Sequence, residues 1–359
     1  MKKAISFGLA LVFVLSFFVI ASAEPVVKFY GYQWLRYENK VVGSSVDTAS
    51  DTSQFSIPRT YLRLKVTDTG YEGNITMDIN NVQYGQVVAT TASAGAVDFA
   101  AWLKYASVDF TKVPGLEQID AQLRVGIQKV YFGTLDVWEY PLIDKEPVDR
   151  NGIASSADFG AAIVGRLPMG FGSYELATFS GSGYKKLDTN AEKMYNASLL
   201  VTPLPGIYMR GSYIHNITSA LGAAKTLDFN ATALVLGYAS GPIEGWTEYM
   251  TRFDASKASG SASGVLVGWS SYLGINLSDS LQLNAMWMQN NPDTKTVRDD
   301  RNVWQAGINY KLNEAVLLQF GYEVDQLKFP NNAVGKGNST NDAGTANLNY
   351  FWAQTKWSW

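Results

Sequence analysis

Little in this sequence could do covalent chemistry. The chain holds one histidine, His215, and no cysteine among 359 residues. Nucleophilic catalysis needs a nucleophile, a base within hydrogen-bond reach and a third group to orient the base. No spacing sets up a serine–lysine or paired-aspartate substitute, and a lone histidine at an expected strand end beside a loop reads as structural. The absence of cysteine excludes a thiolate metal centre and a disulfide scaffold. Gly181-Ser182-Gly183 lacks the Lys-Ser/Thr ending and the strand–helix setting of a phosphate loop. Asp293, Asp299 and Asp300 carry oxygens of the kind calcium takes, but a solvated acidic loop accounts for them. No catalytic residue, no metal and no cofactor is assigned, and no basic tract points to nucleic acid. What remains is charge. A basic set comprises Arg36, Arg59, Arg63, Lys65 and Arg124, with Lys28, Lys311 and Lys356 beside it. An acidic set, Asp136, Glu139, Asp144, Glu146 and Asp149, falls within one stretch against only Lys145 and Arg150.

The elements that position these charges are strands. Residues 1–23 are set aside first. Lys2 and Lys3 precede an apolar run, and Ala21-Ser22-Ala23 completes the pattern of a cleaved signal peptide. No later stretch offers the roughly 20 apolar residues a membrane helix needs. Yet aromatics are 13% and charged residues only 17%, where about 25% charged is usual, and Tyr and Trp suit membrane interfaces. Thr60-Tyr61-Leu62-Arg63-Leu64-Lys65-Val66 alternates apolar and polar residues, as do the runs 71–79 and 121–128. The strands these runs belong to are about nine to twelve residues long, and a tilted transmembrane strand needs roughly 9–11.

Sixteen strands are expected, at 26–37, 57–67, 71–80, 102–110, 120–129, 159–166, 172–180, 194–202, 207–216, 227–239, 246–253, 264–276, 281–289, 301–312, 315–324 and 347–359. One hairpin more or less would make eighteen or fourteen. Seven short turns alternate with eight long loops, of which 130–158 is the longest. An even strand number, short periplasmic turns and long outer loops describe an up-and-down antiparallel β-barrel of the outer membrane. The last strand ends in an aromatic residue, with Trp357 and Trp359 expected to face lipid. This ending resembles the C-terminal insertion signal by which outer-membrane barrels are passed to the barrel-assembly machinery.

Two segments resemble the phosphate-selective porin O/P family. They are Phe55-Ser56-Ile57-Pro58-Arg59-Thr60-Tyr61-Leu62-Arg63-Leu64-Lys65 leading into Tyr71-Glu72-Gly73, and Leu123-Arg124-Val125-Gly126-Ile127-Gln128-Lys129-Val130-Tyr131-Phe132-Gly133 followed by Asp158-Phe159-Gly160. The likeness covers mainly residues 26–165. It implies a sixteen-stranded pore, a homotrimer, and a third loop folded inward. Phosphate itself is not implied, because the basic set here is sparser than that selectivity calls for.

With the apolar face of each strand assigned to lipid, Arg36, Arg59, Arg63, Lys65 and Arg124 point into an aqueous interior. They read either as a basic wall or as charges paired with Glu72 and Asp78. Loop 130–158, folded inward, would place its carboxylates opposite that wall and create a transverse field. The expectation is a single barrel domain, 24–359, passing small hydrophilic, charged solutes through a water-filled channel, with lipid and a homotrimer as its surroundings. The alternative is a scaffold barrel around an electron carrier or another partner complex. That role calls for a wider barrel, and no haem motif occurs.

Overall fold

A computed structural model describes residues 24–42, 52–81, 99–136, 138, 142, 146–150, 153–185, 192–219, 226–254, 265–291, 301–328 and 345–359. They form sixteen strands: β1 (Val26–Val42), β2 (Thr52–Thr67), β3 (Tyr71–Asn81), β4 (Phe99–Phe110), β5 (Ala121–Lys129), β6 (Ala157–Arg166), β7 (Gly172–Phe179), β8 (Met194–Leu204), β9 (Ile207–Ser219), β10 (Thr226–Ser240), β11 (Ile243–Asp254), β12 (Val265–Asn276), β13 (Leu281–Asn291), β14 (Arg301–Lys311), β15 (Val316–Lys328) and β16 (Thr345–Ser358). Each strand pairs antiparallel with its sequence neighbours, and β1 pairs with β16, so the sheet closes. Closure matters because hydrocarbon offers no partner for a free strand edge.

Side chains alternate across the wall. On β10, Ala231, Ala233 and Val235 are buried while Leu234 and Leu236 are exposed; on β14, Val303 and Gln305 are buried while Trp304, Ile308 and Tyr310 are exposed. Leucines, tyrosines and tryptophans left exposed on strand after strand are stable only against lipid, so this exterior is the membrane-facing surface. Trp357 and Trp359 belong to it, and the Trp359 ring lies over Gly31 where the two terminal strands meet.

Side chains that cap backbone N–H groups hold several of the short turns. Asn313 Oδ1 accepts from the N–H groups of Ala315 and Val316 at 2.8 and 2.9 Å, and Ser278 Oγ accepts from Leu281 at 3.1 Å. On the opposite rim the strands run further than the periodicity predicts. Val26–Val42 and Thr52–Thr67 take in residues that lie between the expected strands 26–37 and 57–67. There Glu38 faces Gln54 in register. Beyond the lipid both faces meet water, so the alternation that marks a membrane strand disappears while the ladder continues.

Inside, a belt of amides links side chains from six strands. Arg36 Nε donates to Gln354 Oε1 at 3.1 Å, and Gln354 Nε2 to Gln319 Oε1 at 2.6 Å. Gln319 Nε2 then donates to Asn309 Oδ1 at 2.9 Å, Asn309 Nδ2 to Gln282 Oε1 at 3.1 Å, and Gln282 Nε2 to Glu244 Oε1 at 2.8 Å. Each amide accepts with its oxygen and donates with its nitrogen, which uses both ends of these inward polar groups.

Candidate functional site

The basic residues gather on β1–β5, and two irregularities in the ladder shape their wall. Between Trp34 and Arg36 the β1–β2 register shifts. Pro58 sits there, in a kind of strand position that tolerates its missing N–H. Between Thr76 and Met77 the β3–β4 register shifts as well, because Thr76 faces Tyr105 while Met77 faces Leu103. Lys104 is the extra residue of this bulge. A bulge re-aims side chains, and here Lys104 and Tyr105 both line the interior.

Most of the basic set is engaged. Arg36 lies 3.6 Å from Glu38, Arg59 3.6 Å from Asp78, Lys65 2.8 Å from Glu72 and Arg124 2.6 Å from Asp109. The pairing with Glu72 and Asp78 is thus realised for Lys65 and Arg59. Arg63 differs. Its guanidinium sits 5.0, 5.2 and 5.8 Å from the ring centres of Tyr61, Tyr32 and Tyr30, and its buried Nε has no hydrogen-bond acceptor. Lys356 Nζ stands 4.5 Å from the Tyr32 ring. Lys104, 3% exposed, donates to Tyr61 Oη at 2.6 Å. Sequence reasoning passed over Lys104, although the pair Lys104-Tyr105 breaks the alternation of its strand and was the available signal.

The described part of loop 130–158 packs within the barrel on the far wall. Val130, Phe132, Leu135, Val148 and Ile153 form one buried cluster with Phe179, Met194, Ile214, Phe229, Ala231, Ala233 and Met250. Trp138 and Leu142 form a second with Val235, Trp246, Tyr272, Met286 and Trp352. Polar anchors reinforce both. Arg210 of β9 pairs with Asp136 and donates to the Gly133 carbonyl at 2.8 Å. Glu248 of β11 accepts from Thr134 N at 3.0 Å and from Ser270 Oγ at 3.2 Å. Arg150, in the helical turn Pro147–Arg150, reaches Glu323 at 2.8 Å and Asp325 at 3.3 Å on β15.

Of the acidic set, Asp136 is therefore taken up by Arg210, and Glu146 is buried. Glu146 accepts from Asp149 N at 2.9 Å, and Thr134 Oγ1 lies 2.8 Å from Glu146 and 3.4 Å from Glu248. One hydroxyl proton cannot serve both carboxylates. Burial, with Glu248 close by, holds the Glu146 carboxyl well above the usual carboxylate range, so its protonated form is the one that fits. Asp149 borders the interior cavity; Glu139 and Asp144 lie outside the described residues. His215 bonds Asn230 through Nδ1 at 2.9 Å and stacks on Tyr195. Asp293, Asp299 and Asp300 also lie outside the described residues, and among those described no cluster of three acidic or histidine groups could hold a metal.

Between the loop and the basic wall lies a cavity of about 410 Å³. Tyr32, Tyr61, Arg63, Lys104, Arg124 and Lys356 line one side, and Asp136, Trp138, Glu146 and Asp149 line the other.

No family model matches the sequence, and no curated protein matches it. Solved structures do share the fold. An anion-selective porin from Comamonas acidovorans superposes with a TM-score of 0.64 at 11% identity, over 94% of this chain and 100% of that one. The outer membrane channel DcaP of Acinetobacter baumannii gives 0.64 at 9% identity, over 94% and 99%. The trimer form of OmpT, an outer membrane protein of Vibrio cholerae, gives 0.57 at 10% identity, over 94% and 100%. The chain has the porin fold: a closed sixteen-stranded barrel with a lipid-facing exterior, an architecture of the bacterial outer membrane.

Proposed function

We propose that the chain is a pore and not an enzyme, exported with residues 1–23 removed, through which small hydrophilic solutes diffuse with a preference for anions. The observation that carries this reading is the division of the lumen: a loop packed on one wall, a cavity, and on the other wall cations that exceed their carboxylate partners. Asp136 and Glu146 are occupied by Arg210 and Thr134, so they offset the wall less than their formal charge suggests. Loop 130–158 acts as the constriction in this reading. The segments resembling phosphate-selective porins supply Arg59, Arg63 and Arg124, which supports kinship in the design of the wall without assigning phosphate as cargo. A homotrimer is supported by the trimer form of OmpT that shares the fold. Trp357 and Trp359, exposed at the end of the last strand, suit recognition by barrel-assembly machinery.

Planar-bilayer recording of purified folded protein tests the reading. Stepwise conductance is expected, with a reversal potential in a salt gradient that favours anions. Arg63→Glu should move that potential toward cations. A correctly folded preparation without conductance steps overturns the pore.

A further inference from the structure

Tyr61 lies at the centre of an arrangement that charge selectivity alone does not explain. Its ring packs 4.9 Å from that of Tyr32 across the β1–β2 ladder. Arg59 and Arg63 each approach it at 5.0 Å, and Lys104 bonds its hydroxyl. Lys104 also stands 5.6 Å from the Tyr105 ring. Among the described residues neither Arg63 nor Lys104 has a carboxylate within ion-pair distance, and Asp78 is already shared with Arg59. Arg63 is left uncompensated beside Arg59, and burial makes the ammonium form of Lys104 costly without a counter-charge. Tyrosine faces soften this through their quadrupoles. An anion would cancel it.

The space available decides the kind of anion. An inorganic ion would fill a small part of the cavity of about 410 Å³, which falls in the range of small-molecule pockets, roughly 300–1,000 Å³. A wall of tyrosine rings gives nothing to a bare oxyanion beyond hydroxyl bonds. It offers stacked and edge-on contact to a flat ring. The guanidinium of Arg63 suits a carboxylate's two oxygens, and its buried Nε lacks an acceptor. The bulge at Lys104 points the same way, since it breaks the ladder to bring an ammonium and a tyrosine ring to one face.

We propose that this wall is a binding station for aromatic carboxylates, with the carboxylate bridging Arg63 and Lys104 and the ring lying along Tyr32 and Tyr105. The inference rests on the pore reading and names a solute class for that same lumen. The station concentrates its ligand at the constriction, so that occupancy both blocks small-ion current and speeds transfer of the ligand itself.

The test is current block in planar bilayers, with chloride as the carrier and benzoate or acetate added at equal ionic strength. Benzoate should block at a concentration at least tenfold below that needed for acetate, which has the same charge and no ring. The double variant Tyr32→Leu/Tyr105→Leu should lose that preference. The Arg63→Gln/Lys104→Gln variant should lose block by both anions; folding of each variant is checked by heat-dependent migration on gels. Equal block of the wild-type channel by benzoate and acetate overturns the aromatic station and leaves the pore intact. A preference that survives in Tyr32→Leu/Tyr105→Leu places the ring elsewhere and also overturns it. Absence of conductance in folded wild-type protein refutes the pore itself, an outcome distinct from the other two.

Discussion

Gly133→Ala is the sharpest test of how the loop is held. Gly133 has φ +57°, and a Cβ there would lie 2.0 Å from Glu248 Oε1. Glu248 is wholly buried and fixed by Thr134 N and Ser270 Oγ, so it has no free rotamer into which to retreat. The left-handed backbone costs an alanine about 1–2 kcal/mol. Losing a hydrogen bond to a charged group adds about 1.5–3 kcal/mol. Together, roughly 2.5–5 kcal/mol would come off the loop's attachment, a shift from about 10²-fold to several 10³-fold in its detachment equilibrium. The barrel wall, closed by its own ladders, should be unaffected. Gly241→Ala is the matched control, because it has nearly the same backbone angle, φ +60°, and nothing within 4 Å of the added carbon. Single-channel recording should show excess open-channel noise and steps to higher conductance for Gly133→Ala, with heat-dependent gel migration unchanged. Gly241→Ala should record as wild type. Identical traces from the two variants would refute the anchoring role of the Gly133–Glu248 contact.

Two further outcomes follow from the same anchor. Folding raises the Glu146 carboxyl above its ordinary value, so the attached loop holds a proton that the detached loop releases; attachment is complete at acid pH and weakens as pH rises through the raised value. Channel noise should therefore grow as the pH is raised in the wild type and stay low throughout in Glu146→Gln, whereas loosening toward acid pH would contradict the assignment. Arg210→Ala strands Asp136 in a buried setting, and breaking a buried pair in this way costs about 3–5 kcal/mol. Limited proteolysis should then cut loop 130–158 in folded barrels, while wild-type protein remains uncut.

The strands that cross lipid were legible because a membrane imposes a strict alternation. Leu62, Leu64 and Val66 against Tyr61, Arg63 and Lys65 could have only one orientation, and the turns at 68–70 and 277–280 carried their own turn chemistry. Three things were obscured. Where β1 and β2 leave the bilayer, Glu38 and Gln54 pair in the ladder with polar side chains, so period two has no apolar signal to ride on. Lys104 was hidden by its bulge, which shifts the inward series by one position. The loop was read through its carboxylates, although Val130, Phe132, Leu135, Leu142, Val148 and Ile153 were in plain view. A loop projecting into water has no use for six such side chains. Their counterpart was equally visible in Ala231-Thr232-Ala233-Leu234-Val235-Leu236, where both faces of a strand are apolar because one meets lipid and the other meets the loop. Periodicity reports one solvent boundary, and this half of the barrel has a packed interior as well.

The amide belt on the inner surface has a direction. Gln354, Gln319, Asn309 and Gln282 each hand a hydrogen bond onward, so no one of them can rotate its amide by half a turn without forcing the rest to follow. The guanidinium of Arg36 can only give, and the carboxylate of Glu244 can only receive. These two terminals select one of the two senses in which the chain could run, and the four neutral links between them add their dipoles instead of cancelling. The belt behaves as a latch with memory set at its ends: exchange both terminals for neutral amides and the polarity of the whole arc becomes free to reverse.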